Sequence, residues 1–318
     1  MPQVRVDPLS GLKTIIAGAR ADRPNSGFHA TAEPPVDPAT DPFLPGHEDQ
    51  TPPTLHTDGD PWRVRVFDNL YPALVPASEP PERDANPDLF TAQPAAGAHE
   101  VIVNAPEPVS TLSELSAEQL ALAVATWRER MRVHGSAACR HLIVNEGRIA
   151  GASIPHTHAQ LYAMDFVPAA VARERERFGA YAVRTMGGNL LADLVQEEVR
   201  RRERIVAIDD EAVLMAPYAS RSPFHLLLAP RRAQARFEDD GPLGAALLHE
   251  ALGRLRRLLG AAPPLNLWVR TEPSGADHYG WRIEIQPRLG QPAGLELGTG
   301  VHVCIHPPEQ AAAELRDL

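Results

Sequence analysis

The order of predicted elements repeats once along this chain, and the repeat limits the folds that are open to it. Alternating apolar residues in the first half predict four strands, at residues 62–74, 99–104, 141–145 and 156–164. Ser116 and Gln119 form a capping box for one amphipathic helix between the second and third of these strands. The second half repeats the β-β-α-β-β order at residues 212–219, 224–230, 242–260, 265–272 and 281–288. This order predicts an α+β fold of antiparallel sheets backed by helices.

The length of the chain agrees with such a duplication. At 318 residues it exceeds the commonest domain size. We predict a first unit over residues 1–170 and a second unit over residues 205–318. Residues 171–204 between them are highly charged, and we expect a helical linker there.

One stretch of the first unit carries rare chemical groups at a meaningful spacing. His156, His158 and Gln160 are two residues apart, which in a strand puts their side chains on one face. A neutral imidazole can attack phosphorus, so His158 is the candidate nucleophile, and a strand carbonyl near His156 is expected to orient its other nitrogen. Two histidines at this spacing are also typical of a metal-ligand pair or of a surface strand.

The segment before this row can hold an anion. Residues 147–153 contain two glycines and Ser153, so their backbone N–H groups can approach a phosphate closely. The amides of Gln160 and Asn145 and the hydroxyl of Ser153 could stabilise charge on phosphoryl oxygens. Nucleophile and phosphate cradle would then be adjacent.

Together these residues resemble a known family. The pattern N-x-G at 145–147, G-A-S at 151–153 and H-x-H-x-Q at 156–160 is similar to the active-site signature of the galactose-1-phosphate uridylyltransferases, the transferase branch of the histidine-triad superfamily. The resemblance implies two fused histidine-triad-like units, with the second one degenerate. It also implies that His158 becomes nucleotidylated, with Gln160, Ser153 and His156 as its catalytic companions. Thr157 departs from the family, which usually has proline between the two histidines.

Further motifs extend the resemblance along the chain. R-x-x-R-P at 20–24 resembles an element that faces the phosphates, W-R-V-R-V-F-D-N-L-Y-P-A-L at 62–74 resembles one that receives the nucleoside, and G-L-E at 294–296 resembles one that contacts sugar hydroxyls. The substrate-binding residues that this implies are Arg20, Arg23, Asn69, Tyr71, Ala73, Leu74, Asn145 and Glu296.

The metal sites of the family are not matched. Its structural zinc has two cysteines and two histidines, and the corresponding residues here are Asp41, Leu44, Pro108 and His156. A single surviving ligand cannot make a closed tetrahedral site. A second family site uses a glutamate, matched here by Glu174, and a later H-x-H, which Gly280-Trp281-Arg282 replaces. We therefore expect no bound metal and no cofactor, and a small apolar cluster in place of the zinc, made by Pro42, Phe43, Leu44, Pro45 and Pro108.

Composition excludes several classes of partner. The net charge of −10 argues against binding to nucleic acid or to an anionic membrane surface. Two cysteines, Cys139 and Cys304, exclude a disulfide framework and fit a reducing cytoplasm. No apolar run of membrane-spanning length and no signal peptide is present. The resemblance implies a homodimer whose sites border the interface.

These observations favour a nucleotidyltransferase that acts on a sugar nucleotide and a sugar 1-phosphate. The expected reaction moves UMP from UDP-glucose to His158 and then to a hexose 1-phosphate, galactose 1-phosphate in the family. Phosphorolysis of ADP-glucose or of a dinucleoside polyphosphate by the same histidine is the alternative within enzymes. A nucleotide-binding protein that has lost catalysis is the alternative outside them.

Overall fold

Two sets of five strands meet edge to edge in one sheet. The computed structural model describes residues 1–22, with only the backbone of 21 and 22, and residues 28–76 and 89–318. The strands in these residues are β1 (Gln3–Val6), β2 (Lys13–Ile16), β3 (Thr54–Asp58), β4 (Val64–Asp68), β5 (Gly97–Val103), β6 (Cys139–Glu146), β7 (His158–Met164), β8 (Ile205–Ile208), β9 (Ala212–Met215), β10 (Leu226–Pro230), β11 (Leu265–Arg270), β12 (Arg282–Pro287) and β13 (His302–Cys304). The helices in these residues are α1 (Ala117–Val133), α2 (Ala169–Thr185), α3 (Leu190–Arg201), α4 (Ala245–Leu259), α5 (Gly294–Thr299) and α6 (Pro308–Arg316).

The strand order of the large sheet reads the same from both edges. The order is β3-β4-β5-β7-β6-β11-β12-β10-β9-β8, and every neighbouring pair is antiparallel. β6 and β11 pair at the centre, with Asn145 opposite Asn266. The expected α+β fold and its duplication are therefore confirmed, and the two halves share a single sheet. β1, β2 and β13 form a separate small sheet.

Alternation along the strands separates an apolar face from a mixed one. Ala159 and Leu161 of β7 and Leu226 and Leu228 of β10 belong to the main core, under α1 and α4. Each buried leucine contributes about 1.5–3 kcal/mol by leaving water. The helix α1 begins as expected, because the hydroxyl of Ser116 accepts the N–H of Gln119.

The opposite face is covered by helices only in the second half. Leu227 and Ala229, the alternate residues of β10, pack with Phe178 of α2 and with Leu191 and Val195 of α3. Most of residues 171–204 lie in α2 and α3, and apolar side chains of both helices pack on the sheet. On the same face of the first half, His158 and Gln160 of β7 line a cavity instead.

Charged groups are buried under α2. The carboxylate of Glu174 accepts hydrogen bonds from Arg282 at 2.9 Å and from the hydroxyl of Tyr279 at 2.9 Å, and Arg270 lies 3.4 Å away. Burial raises the pKa of Glu174, but the charges of Arg282 and Arg270 outweigh it and hold that pKa below its ordinary value. Glu174 matches a metal ligand of the family, and here two guanidinium groups neutralise it.

Replacing Glu174 with alanine leaves the buried Arg282 without one of its two carboxylates. We expect the free energy of unfolding to fall by about 3–5 kcal/mol, the typical cost of removing one partner of a buried ion pair. The matched control is Glu197→Ala in α3, because Glu197 pairs with Arg200 and Arg201 on the exposed surface. Urea denaturation compares both variants with the wild type, and a stability of Glu174→Ala equal to that of Glu197→Ala would contradict this role.

Candidate active site

A cavity of about 460 Å³ opens where β7 begins. His158 and Gln160 from β7 meet there with residues from the loop before β3, from the segment after β4 and from the glycine-rich loop. The lining residues are Pro42, Phe43, Gln50, Thr51, Pro52, Phe67, Asn69, Leu70, Tyr71, Val101, Ser153, Ile154, His158 and Gln160. An apolar wall with a few convergent polar groups is typical of a small-molecule site.

His158 has the geometry of a nucleophile. Its Nδ1–H donates to the carbonyl of His156 at 2.8 Å, which is the orienting contact that the sequence predicts. No described residue hydrogen-bonds Nε2, so that nitrogen keeps its lone pair in a residue that lines the cavity. The ring of Phe43 packs edge-on against the imidazole, with centroids 5.2 Å apart. Burial lowers the pKa of His158, which keeps the ring neutral and nucleophilic near pH 7.

His156 does not belong to the row of side chains that the sequence predicts. The strand begins only at His158, and the ring of His156 is completely buried outside the cavity. Its Nδ1 lies 2.6 Å from Asp41 Oδ2, and its Nε2 lies 2.9 Å from the carbonyl of Ala105. The carbonyl of Ala105 can only accept, so Nε2 donates to it, and Nδ1 and the Asp41 carboxyl group share one proton in a short hydrogen bond. The structure therefore places His156 beside the cavity wall, bonded to Asp41, and not in the cavity with His158 and Gln160.

The region of the family zinc site is also different from the expectation. Asp41 is buried, and beyond His156 it accepts the N–H of Phe43 at 3.0 Å. The apolar cluster beside it is made by Phe43 with Phe67, Val101 and Val103, whereas Pro45 and Pro108 are exposed. Of the residues that we expected in this apolar cluster, Phe43 belongs to it, and the buried contact between Asp41 and His156 lies beside it. Within the residues that the structure describes, no three His, Cys, Asp or Glu side chains come together as metal ligands.

The glycine-rich loop is shaped by two left-handed residues. Gly147 and Gly151 have φ of 82° and 95°, and a side chain on Gly147 would lie 2.7 Å from a carboxylate oxygen of Glu33. The loop ends at Ser153, which is exposed and lines the cavity as predicted. Asn145 does not line the cavity. Its side-chain oxygen accepts from Asn266 at 2.8 Å, because β11 pairs with β6 at this point.

The nucleoside segment, residues 62–74, which we predicted to receive the nucleoside, lies only partly in the cavity. Asn69 and Tyr71 line it, and the side chain of Asn69 accepts the N–H of Tyr71 at 2.9 Å. Ala73 and Leu74 do not line it. The side chain of Leu74 is buried, and the backbone N–H of Ala73 donates to His99 Nδ1 at 3.1 Å. Leu70 lines the cavity in their place.

The remaining predicted contacts lie elsewhere. Arg20 is exposed, and Arg23 is outside the residues that the structure describes. Glu296 lies in the short helix α5, where it accepts the N–H of Ala293 at 2.9 Å. It lines a second cavity of about 290 Å³ with Arg221, Gln286, Arg288 and His302. The two cavities share no lining residue, so Glu296 and His158 line different cavities of one chain.

His99 and Tyr162 are site residues that the sequence reasoning missed. The side-chain oxygen of Gln160 accepts from His99 Nε2 at 2.9 Å and from the Tyr162 hydroxyl at 3.1 Å. Tyr162 continues the alternation of His158 and Gln160, which was a signal in the sequence. His99 is on β5, and only strand pairing places it opposite Tyr162.

Comparisons with known proteins find relatives that extend over most of the chain. The family model described as galactose-1-phosphate uridyl transferase, N-terminal domain, matches residues 1–168. An ADP-glucose phosphorylase from Arabidopsis thaliana is 28% identical over 100% of this chain and 93% of its own length. A probable galactose-1-phosphate uridylyltransferase from Drosophila melanogaster is 29% identical over 87% of this chain and 80% of its own length.

Solved structures resemble the whole chain. The crystal structure of an ADP-glucose phosphorylase from Arabidopsis thaliana with bound ADP-glucose superposes with a TM-score of 0.82 at 25% identity, covering 100% of this chain and 99% of the other. A uridylyltransferase structure superposes with a TM-score of 0.75 at 25% identity, covering 100% and 98%. No described helix is long and apolar enough to cross a membrane.

Replacing Asp41 with alanine removes the partner of His156 Nδ1 in a fully buried contact. We expect the free energy of unfolding to fall by about 3 kcal/mol or more, because a buried ring nitrogen is then left without a hydrogen-bond partner. Asp37→Ala is the matched control, since Asp37 is an exposed carboxylate on the same segment. Chemical denaturation measures both variants, and the wild type is measured with and without a metal chelator. A chelator that destabilises the wild type would show that a metal, and not the contact between Asp41 and His156, holds this segment.

Proposed function

This chain belongs to the galactose-1-phosphate uridylyltransferase family, and we propose that it transfers a nucleotidyl group through a covalent intermediate on His158. The proposal rests on the hydrogen bonding of the His158 imidazole. Its Nδ1–H is held by the carbonyl of His156 at 2.8 Å, and its Nε2 lone pair remains available at the cavity. The family relationship supports a nucleotide as the group transferred.

The first half-reaction forms a phosphorus–nitrogen bond. Nε2 of His158 attacks the α-phosphorus of a sugar nucleotide, and the bond from that phosphorus to the bridging oxygen breaks. The electron pair leaves with the sugar 1-phosphate, which is stable as an anion and needs no proton from the enzyme. The nucleotidylated imidazole carries a positive charge, and its Nδ1–H donates to the His156 carbonyl throughout.

The second half-reaction reverses these steps with a new acceptor. A phosphate oxygen of the acceptor attacks the same phosphorus, the phosphorus–nitrogen bond breaks, and its electron pair returns to Nε2. In both steps charge on the phosphoryl oxygens needs donors that are already in position. The side-chain NH₂ of Gln160 and the hydroxyl of Ser153 line the cavity beside His158 and supply such donors.

For the substrates, we propose UDP-glucose as donor and a hexose 1-phosphate, such as galactose 1-phosphate, as acceptor. Relatives named galactose-1-phosphate uridylyltransferase, from Drosophila melanogaster and Haemophilus influenzae among others, support this choice. A second candidate is phosphorolysis of ADP-glucose, with inorganic phosphate as acceptor. The Arabidopsis relative, 28% identical over the whole chain, and the Arabidopsis structure with bound ADP-glucose support it. Both reactions use the same nucleophile and differ in base and acceptor.

A mass measurement distinguishes these candidates. We expect wild-type protein incubated with UDP-glucose to gain the mass of one uridylyl group and to exchange labelled glucose 1-phosphate into UDP-glucose without a second substrate. His158→Ala should lose both, and His249→Ala, on a helix of the opposite face, should keep both. Labelling by ADP-glucose alone would select the second candidate. Exchange that persists in His158→Ala, or no labelling of the wild type by either compound, would refute the covalent mechanism.

We also propose that the working enzyme is a homodimer with composite sites. In one chain the cavity with Glu296 is separate from the cavity with His158, so a glutamate that contacts the sugar must come from a second copy. The reaction is placed in the cytoplasm, which the two free and buried cysteines support. Cell fractionation that finds the protein elsewhere would overturn this placement.

Complementation between two inactive variants tests the composite site. A mixed dimer of His158→Ala and Glu296→Gln chains has one site with both changes and one site with neither. We therefore expect transfer activity to return when the two variants are unfolded and refolded together. Each variant refolded alone is the control. Mixed dimers without activity would show that His158 and Glu296 of different chains do not share a site.

A further inference from the structure

His99 does not line the cavity, yet it contacts Gln160, which lines the cavity beside the nucleophile. It lies on β5 opposite Tyr162, and only 5% of its surface is exposed. Its ring stacks on that of Tyr162, with centroids 4.1 Å apart and an angle of 24° between the planes. The proposed mechanism does not involve the buried imidazole of His99.

The hydrogen bonds of His99 determine where its proton lies. The backbone N–H of Ala73 donates to Nδ1 at 3.1 Å, and a nitrogen that accepts a hydrogen bond carries no proton. Burial lowers the pKa of His99, so the ring is neutral and its single proton is on Nε2. This Nε2–H donates to the side-chain oxygen of Gln160 at 2.9 Å. The side-chain nitrogen of Asn69 lies 3.3 Å from the same Nε2, and because it is also a donor it makes no hydrogen bond to Nε2 in this tautomer.

The same contacts orient the carboxamide of Gln160. Its oxygen has two lone pairs, and it accepts from His99 and from the hydroxyl of Tyr162. A flip of the carboxamide would place its NH₂ group against these two donors. The oxygen therefore stays with His99 and Tyr162, and the NH₂ group is the part of Gln160 left to donate in the cavity.

We propose that His99 is a positioning residue that makes Gln160 a permanent donor to the phosphoryl group and connects it to the nucleoside segment. The connection is a chain of two hydrogen bonds, from Ala73 to His99 and from His99 to Gln160. Asn69 and Tyr71, a few residues before Ala73, line the nucleoside side of the cavity. If this segment moves away, Nδ1 loses its donor, the proton can shift to Nδ1, and Nε2 becomes an acceptor. Gln160 is then free to turn its NH₂ group away from the substrate.

This inference rests on the proposed function for its kinetic consequence, but its structural part can be tested without any substrate. We expect the nitrogen NMR spectrum of the wild-type protein with labelled histidine to show His99 as the Nε2–H tautomer. The signals that disappear in His99→Leu assign the residue. A ring protonated on Nδ1, or on both nitrogens, would overturn the proposal whether or not the protein is an enzyme.

The kinetic test follows the rate of nucleotidylation of His158 in a single turnover with whichever sugar nucleotide labels the wild type. Leucine has a similar size but no donor, and we expect His99→Leu to lower the maximal rate by about 10²-fold, the typical loss when one preorganised donor fails. Glutamine has an amide nitrogen that can donate in place of Nε2, so His99→Gln should recover most of the rate. Equal rates for wild type and His99→Leu would refute the proposal.

A double-mutant cycle separates positioning from a general structural role. If His99 acts through Gln160, the change His99→Leu should have no further effect on the rate in a Gln160→Leu background. Losses that multiply would mean that His99 supports the site by another route, which contradicts the proposal. Absence of labelling in the wild type with every sugar nucleotide would refute the proposed function, and the tautomer measurement would still decide the arrangement of His99.

Discussion

The contact between His156 and Asp41 holds the site together. It joins the segment before β3 to the residues that lead into β7, and both partners are buried. Phe43, held by Asp41 through its backbone, packs against the ring of His158, and the carbonyl of His156 orients that ring. The position of the nucleophile therefore depends on one buried contact two residues away from it.

The two regions that correspond to the family's metal sites, around Asp41 and around Glu174, each contain buried polar side chains that bond to one another. A metal ion concentrates positive charge among its ligands, and an arginine or a protonated histidine can satisfy a buried carboxylate without an external ion. The cost is desolvation, which is offset only when the hydrogen bonds are nearly complete. Glu174 meets this condition with Arg282, Arg270 and Tyr279. Asp41 meets it with His156 and a backbone N–H.

The two halves use the same strands for different chemistry. β7 and β12 hold equivalent places in the sheet order, next to the central pair. β7 presents His158 and Gln160 to a cavity, whereas β12 presents Glu284, which is buried and bonded to Arg221, His225 and Arg282. Burial raises the pKa of Glu284, but the charges of Arg221 and Arg282 and the hydrogen bond from His225 outweigh it and hold that pKa well below its ordinary value. The helices α2 and α3 cover the sheet in the second half, where the first half leaves a cavity.

Local patterns in the sequence were enough to predict the order of strands and helices along the chain and its duplication, and they single out His158 as the candidate nucleophile. Alternation and capping act over a few residues, and a histidine spacing of two is visible without any fold. Other features depend on residues that are far apart along the chain. Strand pairing brings His99 to Gln160 across 61 positions, and a loop brings Asp41 to His156 across 115 positions. Tertiary structure alone decided that His156 contacts Asp41, that Glu296 and His158 line different cavities, and that the side-chain oxygen of Gln160 is occupied by His99 and Tyr162. The physical reason is that a polar side chain takes its role from the partners that burial leaves within hydrogen-bond distance.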